Sequence, residues 1–147
     1  MPAEPRTSDF PKIRRTLAIY RVLAYATGVM LLILVVEMIL KYGFGLEADL
    51  GGANGFLALV PVDGHTGINL SLVAQIAHGY FYLAYLVVDF VLITFLRWPI
   101  TRFLLIAAGG VVPLLSFFTE RRITREVGDY LASREAAATP VPSEARH

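Results

Sequence analysis

The chain has 147 residues, 56% of them hydrophobic, and a mean hydropathy of +0.60, above the range of a soluble domain with a polar surface, so an integral membrane protein is predicted. Cysteine is absent, which excludes disulfides, thiolate nucleophiles, cysteine-based zinc or iron–sulfur sites and lipoprotein acylation. Thirteen basic residues against 12 acidic ones leave a net charge of +1, which gives no ground for nucleic-acid binding and makes only the placement of charge informative.

Residues 1–16 read as a polar cytoplasmic tail, with Arg6, Lys12, Arg14 and Arg15 against Glu4 and Asp9, and with Pro2, Pro5 and Pro11 opposing a helix. The stretch 17–40, "LAIYRVLAYATGVMLLILVVEMIL", exceeds the ~20 apolar residues that a hydrocarbon core of about 30 Å requires, and a first transmembrane helix is expected there. It is too long for the apolar region of a signal peptide and is expected to be retained. From Lys41 to Asn69 the composition turns to Gly, Asp and Pro, an outer loop whose one apolar run, Phe56–Val60, is expected to dip into the membrane interface. Residues 70–96 form a second predicted span, closed by Arg97 and Trp98 at headgroup level and long enough to tilt.

Pro99 suits a helix first turn, and the run 99–118 gives a third predicted span in which Arg102 snorkels to the interface. Gly109, Gly110 and Pro113 mark a kink or close approach within it. Beyond it, within 119–147, Ile123, Val127, Tyr130 and Leu131 make one face of a short amphipathic helix, followed by "TPVPSEARH", a tail of disordered composition. The predicted fold class is all-α: three transmembrane helices and a short C-terminal amphipathic helix.

Loop charge favours a cytoplasmic N-terminus in the cell membrane, with Lys41 outside among Glu47, Asp49 and Asp63. Three spans then place Arg121, Arg122 and Arg125 outside, against the usual bias, with Glu120 and Glu126 offsetting part of that charge. A re-entrant third segment, turning back at Gly109–Gly110, would remove the conflict but leaves arms too short to span. Three spans are retained as the expectation.

Within the second span, Gln75, His78, Tyr82, Tyr85 and Asp89 recur at helical spacing and share one face. Such a seam is expected to face other helices or a water-filled cavity, because charge facing lipid is costly. Helical rise sets Arg21 and Asp89 at similar depth, so an Arg21–Asp89 ion pair is expected, with helix packing as its simplest role. At the other end Glu37, His78 and Glu120 form a possible outer cluster able to hold a metal or relay a proton. Against it, Arg21 and Glu37 lie on nearly opposite helix faces, and Glu37 with Lys41 makes an i,i+4 pair sufficient in itself. A b-type haem would need His78 from a second copy, so no cofactor or metal is assigned. Gly109, Pro113, Ser116 and Glu120 make a small and polar face expected to pack on the His78 seam.

Four stretches, "LKYGFG" (40–45), "AHGYFYLAY" (77–85), "RWP" (97–99) and "VPLLSFFTERRI" (112–123), occur in the order and spacing of a known family. Over about residues 14–127 the chain resembles the YdzA-like small bacterial integral membrane proteins, a domain of unknown function. The resemblance implies a three-helix membrane fold with Lys41, Tyr42, His78, Gly79, Pro113, Ser116, Phe117, Glu120 and Arg121 at signature positions, and no known reaction. It also implies a glutamate near the position of Thr27, where this chain departs, carrying its acid at Glu37.

Two functions stay open. One is a structural or accessory membrane component acting through helix packing and the polar seam, alone as a homo-oligomer or in a larger membrane complex. The other is a small-ligand, ion or proton binding or transport component centred on His78. Catalysis is not expected, since no nucleophile elbow, HExxH, phosphate-cradling glycine loop or paired catalytic acids occur. The expected partner in either case is the lipid bilayer.

Overall fold

A computed structural model of the chain describes residues 5–138; the predicted tail from 139 onward lies outside these. Helix α1, Phe10–Ile39, follows a short 3-10 turn, Thr7–Asp9. It begins well inside the predicted polar tail because Pro11 falls in its first turn, where a missing N–H costs no hydrogen bond. Phe10 and Ile13 are buried there, so the tail is helical where it packs. At its far end α1 widens into a π-turn, Leu40–Phe44, closed by Gly45 in the left-handed conformation (φ +68).

The predicted outer loop is a three-stranded antiparallel sheet, which corrects the all-α expectation. Strands β1 (Leu46–Gly52), β2 (Gly55–Pro61) and β3 (Ile68–Asn69) are arranged β2-β1-β3. Alternation along β1 puts Leu46, Ala48 and Leu50 on one face and Glu47 and Asp49 on the other. The run expected to dip into the interface is instead the body of β2, with Val60 opposite Glu47 and Leu57 opposite Leu50.

Helix α2, Leu70–Leu96, coincides with the second predicted span. It starts without a linker after β3, because Asn69 accepts the Leu72 N–H through Oδ1 (2.9 Å) and caps the helix. It ends at Arg97 in the left-handed conformation (φ +53).

The third predicted span is not one helix. Helix α3, Ile100–Ala108, has nine residues, about 13 Å of rise, against a hydrocarbon core of about 30 Å. The chain breaks over 109–114, with Leu114 at φ +68, and helix α4, Leu115–Ala138, returns antiparallel to α1. Ser116 Oγ donates to the Ala24 carbonyl (2.7 Å), Arg21 Nε meets Glu120 Oε1 (3.0 Å), and Arg14 meets Glu135 (2.8 Å). Helix α4 therefore runs back to the pole where α1 begins. The expected amphipathic helix is the outer part of α4, and its face of Ile123, Val127 and Leu131 is buried as the spacing implied.

The core joins Ile13, Tyr20 and Ala24 of α1 to Tyr85 and Leu92 of α2, Ile106 of α3 and Val127 of α4. Two helices, Thr7–Phe44 and Leu70–Leu96, are long and apolar enough to cross a membrane, and only 17% and 28% of their most apolar windows are covered by the rest of the chain. Their outward faces carry Val22, Val29, Val36, Leu83, Val87 and Phe90.

Close approach at the break rests on Gly110, where an added Cβ would lie 2.3 Å from Tyr82 Cδ2. Gly110→Ala should therefore lower the unfolding free energy by about 1–3 kcal/mol. Gly79→Ala, where an added Cβ meets nothing within 4 Å, should not lower it; thermal unfolding of the two variants in detergent makes the comparison.

Candidate functional site

The seam on α2 is one face, as its spacing implied, but its environment changes along its length. Gln75 is exposed and His78 half-buried, whereas Tyr85 and Asp89 are fully buried. The His78 ring lies parallel to Tyr82 (centroids 6.1 Å, 3°), and its Nδ1 has no hydrogen-bond partner among the described residues. Tyr82 Oη donates to the Ala107 carbonyl (3.2 Å) and Tyr85 Oη to the Ile106 carbonyl (2.7 Å). Both acceptors belong to the last turn of α3 and also accept the backbone N–H groups of Gly109 (2.9 Å) and Gly110 (3.1 Å), so each hydroxyl adds a second bond to a carbonyl at the chain break. Tyr85 also stacks on Tyr20 of α1 (5.6 Å, 26°). Below this stack neither oxygen of Asp89, nor the Tyr20 hydroxyl, has a partner among the described residues.

The expected Arg21–Asp89 pair is not formed: Arg21 is bound to Glu120 on α4. Tyr20 occupies the α1 face that meets α2, and the next residue is turned about 100° from it, toward α4. Glu120 is 2% exposed and also accepts from the Thr124 hydroxyl (2.9 Å), so the ion pair adds the opposite charge that a buried carboxylate needs.

The expected outer cluster is dispersed as well. Glu37 accepts a short hydrogen bond from the Ser71 hydroxyl at the sheet pole, while Glu120 sits beside Arg21, about 24 Å away along α1 at helical rise. Lys41 does not pair with Glu37; its Nζ meets Glu47 Oε1 at 2.6 Å. The small and polar face expected to pack on His78 packs elsewhere. Ser116 lies on α1 beside Ala24 and Gly28, and Gly109 lies close to Ser116 across the break.

A second polar cluster, missed at the level of sequence, lies on the acidic face of β1. Glu47 and Asp49 are buried there. Glu47 is held by Lys41, by a short contact with His65 Nε2 and by Asn69 Nδ2, which donates at 3.2 Å. Asp49 accepts the N–H groups of Thr66 (3.2 Å) and Gly67 (3.1 Å). Gly67 must be glycine, since an added Cβ would lie 2.4 Å from the Leu50 carbonyl oxygen. Asn69 thus joins the cluster to the start of α2, through Nδ2 on one side and Oδ1 on the other. The signal was present: alternation in "LEADL" puts both acids on one face, and "GGANG" is a hairpin turn.

Fold and seam define a mostly helical protein with two candidate membrane-spanning helices, a small sheet at one pole and a nine-residue helix tied to α2 by tyrosine hydroxyls. The chain belongs to the family described as Domain of unknown function (DUF3817), whose model matches residues 17–125. Among its relatives, an uncharacterized protein of Mycobacterium leprae is 29% identical over 119 residues, covering 81% of each chain. An uncharacterized protein of Mycobacterium tuberculosis is 28% identical over 125 residues, covering 85% of this chain and 86% of its own. No solved structure matches.

The Glu47 carboxyl is held below the usual carboxylate range by its bond to Lys41 and then by His65. Asp49 is pushed up by burial, but the N–H groups of Thr66 and Gly67 outweigh this and leave it lowered. A depressed folded-state pKa contributes stability that is fully present above the unfolded value of about 4 and lost as pH falls through the folded one. Melting temperature in detergent should therefore fall as pH drops from 7 to below about 4. Glu47→Gln should start lower at pH 7 and fall less steeply; parallel curves would rule out the cluster as the source.

Proposed function

We propose that this protein is an integral membrane protein with a cytoplasmic N-terminus, in which α1 and α2 cross the bilayer and α3 enters and leaves from the cytoplasmic side. In that orientation Arg14, Arg15, Arg97, Arg102, Arg121, Arg122 and Arg125 all belong to the cytoplasmic pole, in keeping with the positive-inside tendency. We further propose that it is a structural or accessory component, associating with itself or with a larger membrane complex through the outward faces of α1 and α2. One observation supports this reading: the hydroxyls of Tyr82 and Tyr85 donate to the α3 carbonyls, as a seam serving as interhelical glue would require.

A second reading, an ion- or proton-binding component, draws on the Asp89 carboxylate, fully buried and without a hydrogen-bond partner among the described residues. Intramembrane acids of this kind serve proton and cation pathways. It shifts the centre of such a site from His78 to the Tyr20–Asp89 end of the seam.

Native mass spectrometry of the protein, extracted gently from its host's membranes, separates the two. The accessory reading predicts a fixed-stoichiometry complex with a second copy or another protein, unchanged in Asp89→Asn. A monomer carrying an ion or small molecule that Asp89→Asn abolishes would overturn it in favour of the second.

A further inference from the structure

The re-entrant α3 and the returning α4 leave a groove between them with a cavity of about 200 Å³. Its walls are apolar, from Leu105, Leu115, Phe118 and Ile123, and its rim carries the guanidinium groups of Arg102 and Arg122. Arg102 is fixed on two sides, bonded to Glu126 and lying 4.3 Å over the Trp98 ring. Arg122 is exposed and makes no ion pair among the described residues. The rim continues onto a shallow surface with Arg121 and Arg125, where the acids are Glu126 and Asp129. With Glu126 bound to Arg102, this end of the groove keeps a surplus of positive charge. The apolar end is open: Leu105 is 52% exposed and Phe118 68% exposed.

We propose that this groove is a binding site for an anionic phospholipid. The proposal rests on the membrane reading above, which brings the groove to the cytoplasmic leaflet, where anionic lipids attract basic residues. Guanidinium groups bind a phosphodiester in a forked geometry that an ammonium cannot match. The cavity is smaller than the pocket of a whole bound small molecule, about 300–1,000 Å³. It takes part of one acyl chain along Leu105 and Phe118 while the rest of the lipid stays in the bilayer. Charge complementarity at one end and continuity with the bilayer at the other select a lipid over a soluble anion.

Carbonate washing of the membranes comes first: release of the chain would refute the membrane reading itself, separately from the groove. For retained protein, native mass spectrometry in detergent with added phosphatidylglycerol or phosphatidylcholine reads lipid adducts directly. One phosphatidylglycerol should be kept in preference to phosphatidylcholine. Arg122→Glu should weaken its retention by about tenfold, and Phe118→Ser should weaken it too, while Arg15→Glu at the same pole should not. Arg122→Gln, with a smaller loss in the same direction, guards against misfolding of the charge reversal. Equal retention of the two lipids, indifference to Arg122, or displacement by equimolar glycerol phosphate would overturn the proposal, the last in favour of a soluble anion.

Discussion

The last turn of α3 is fixed to α2 by two tyrosine hydroxyls that donate to its carbonyls. The Ile106 and Ala107 carbonyls accept the Gly109 and Gly110 N–H groups as the helix closes, and the second lone pair of each is left for a side chain. Tyr85 Oη, 2.7 Å from the Ile106 oxygen, and Tyr82 Oη, 3.2 Å from that of Ala107, donate to those lone pairs and tie α2 to the break. With the break satisfied, α4 can turn back along α1. Ser116 then reaches the Ala24 carbonyl, Glu120 is buried against Arg21, and the basic residues of α4 return to the pole of the N-terminus.

The same constraint separates what the sequence made legible from what it hid. Helix α2 was readable to the residue, because an uninterrupted apolar run bounded by Asn69 and Arg97 leaves one solution. The break at Gly109–Gly110 is visible in the sequence, where it competes with an unbroken third span. The structure favours the break, with Tyr82 and Tyr85 of α2 bonded to the end of α3, a tertiary fact that no local pattern displays. Depth matching suggested Arg21–Asp89, but Tyr20 takes the α1 face toward α2 and turns Arg21 to Glu120. The sheet was hidden by its own glycine and proline content, which reads equally as loop; the alternation of "LEADL" against "FLALV" was the signal to weigh.

Two polar systems stand at different points of the bundle. At the sheet pole Glu47 and Asp49 are fully engaged, by Lys41, His65 and Asn69 and by the N–H groups of Thr66 and Gly67, and they tie β1 to the start of α2. In the seam Tyr82 and Tyr85 are engaged, but Asp89 has no hydrogen-bond partner among the described residues. A satisfied network rigidifies its surroundings, whereas an unsatisfied buried acid needs water, an ion, a proton or a neighbouring chain. That contrast is why the seam can serve as glue along most of its length and still leave a separate role open at its Asp89 end.

The central claim is that the chain passes across the bilayer twice and that α4 returns to the side of α1's beginning. Absence of cysteine allows a direct measurement: single cysteines at Ser8, Asn54 and Ser133, probed in intact cells and in inverted vesicles with a membrane-impermeant maleimide. The account predicts that Ser8→Cys and Ser133→Cys label only in inverted vesicles and Asn54→Cys only in intact cells. Labelling of positions 54 and 133 from the same side would contradict it and restore three full spans.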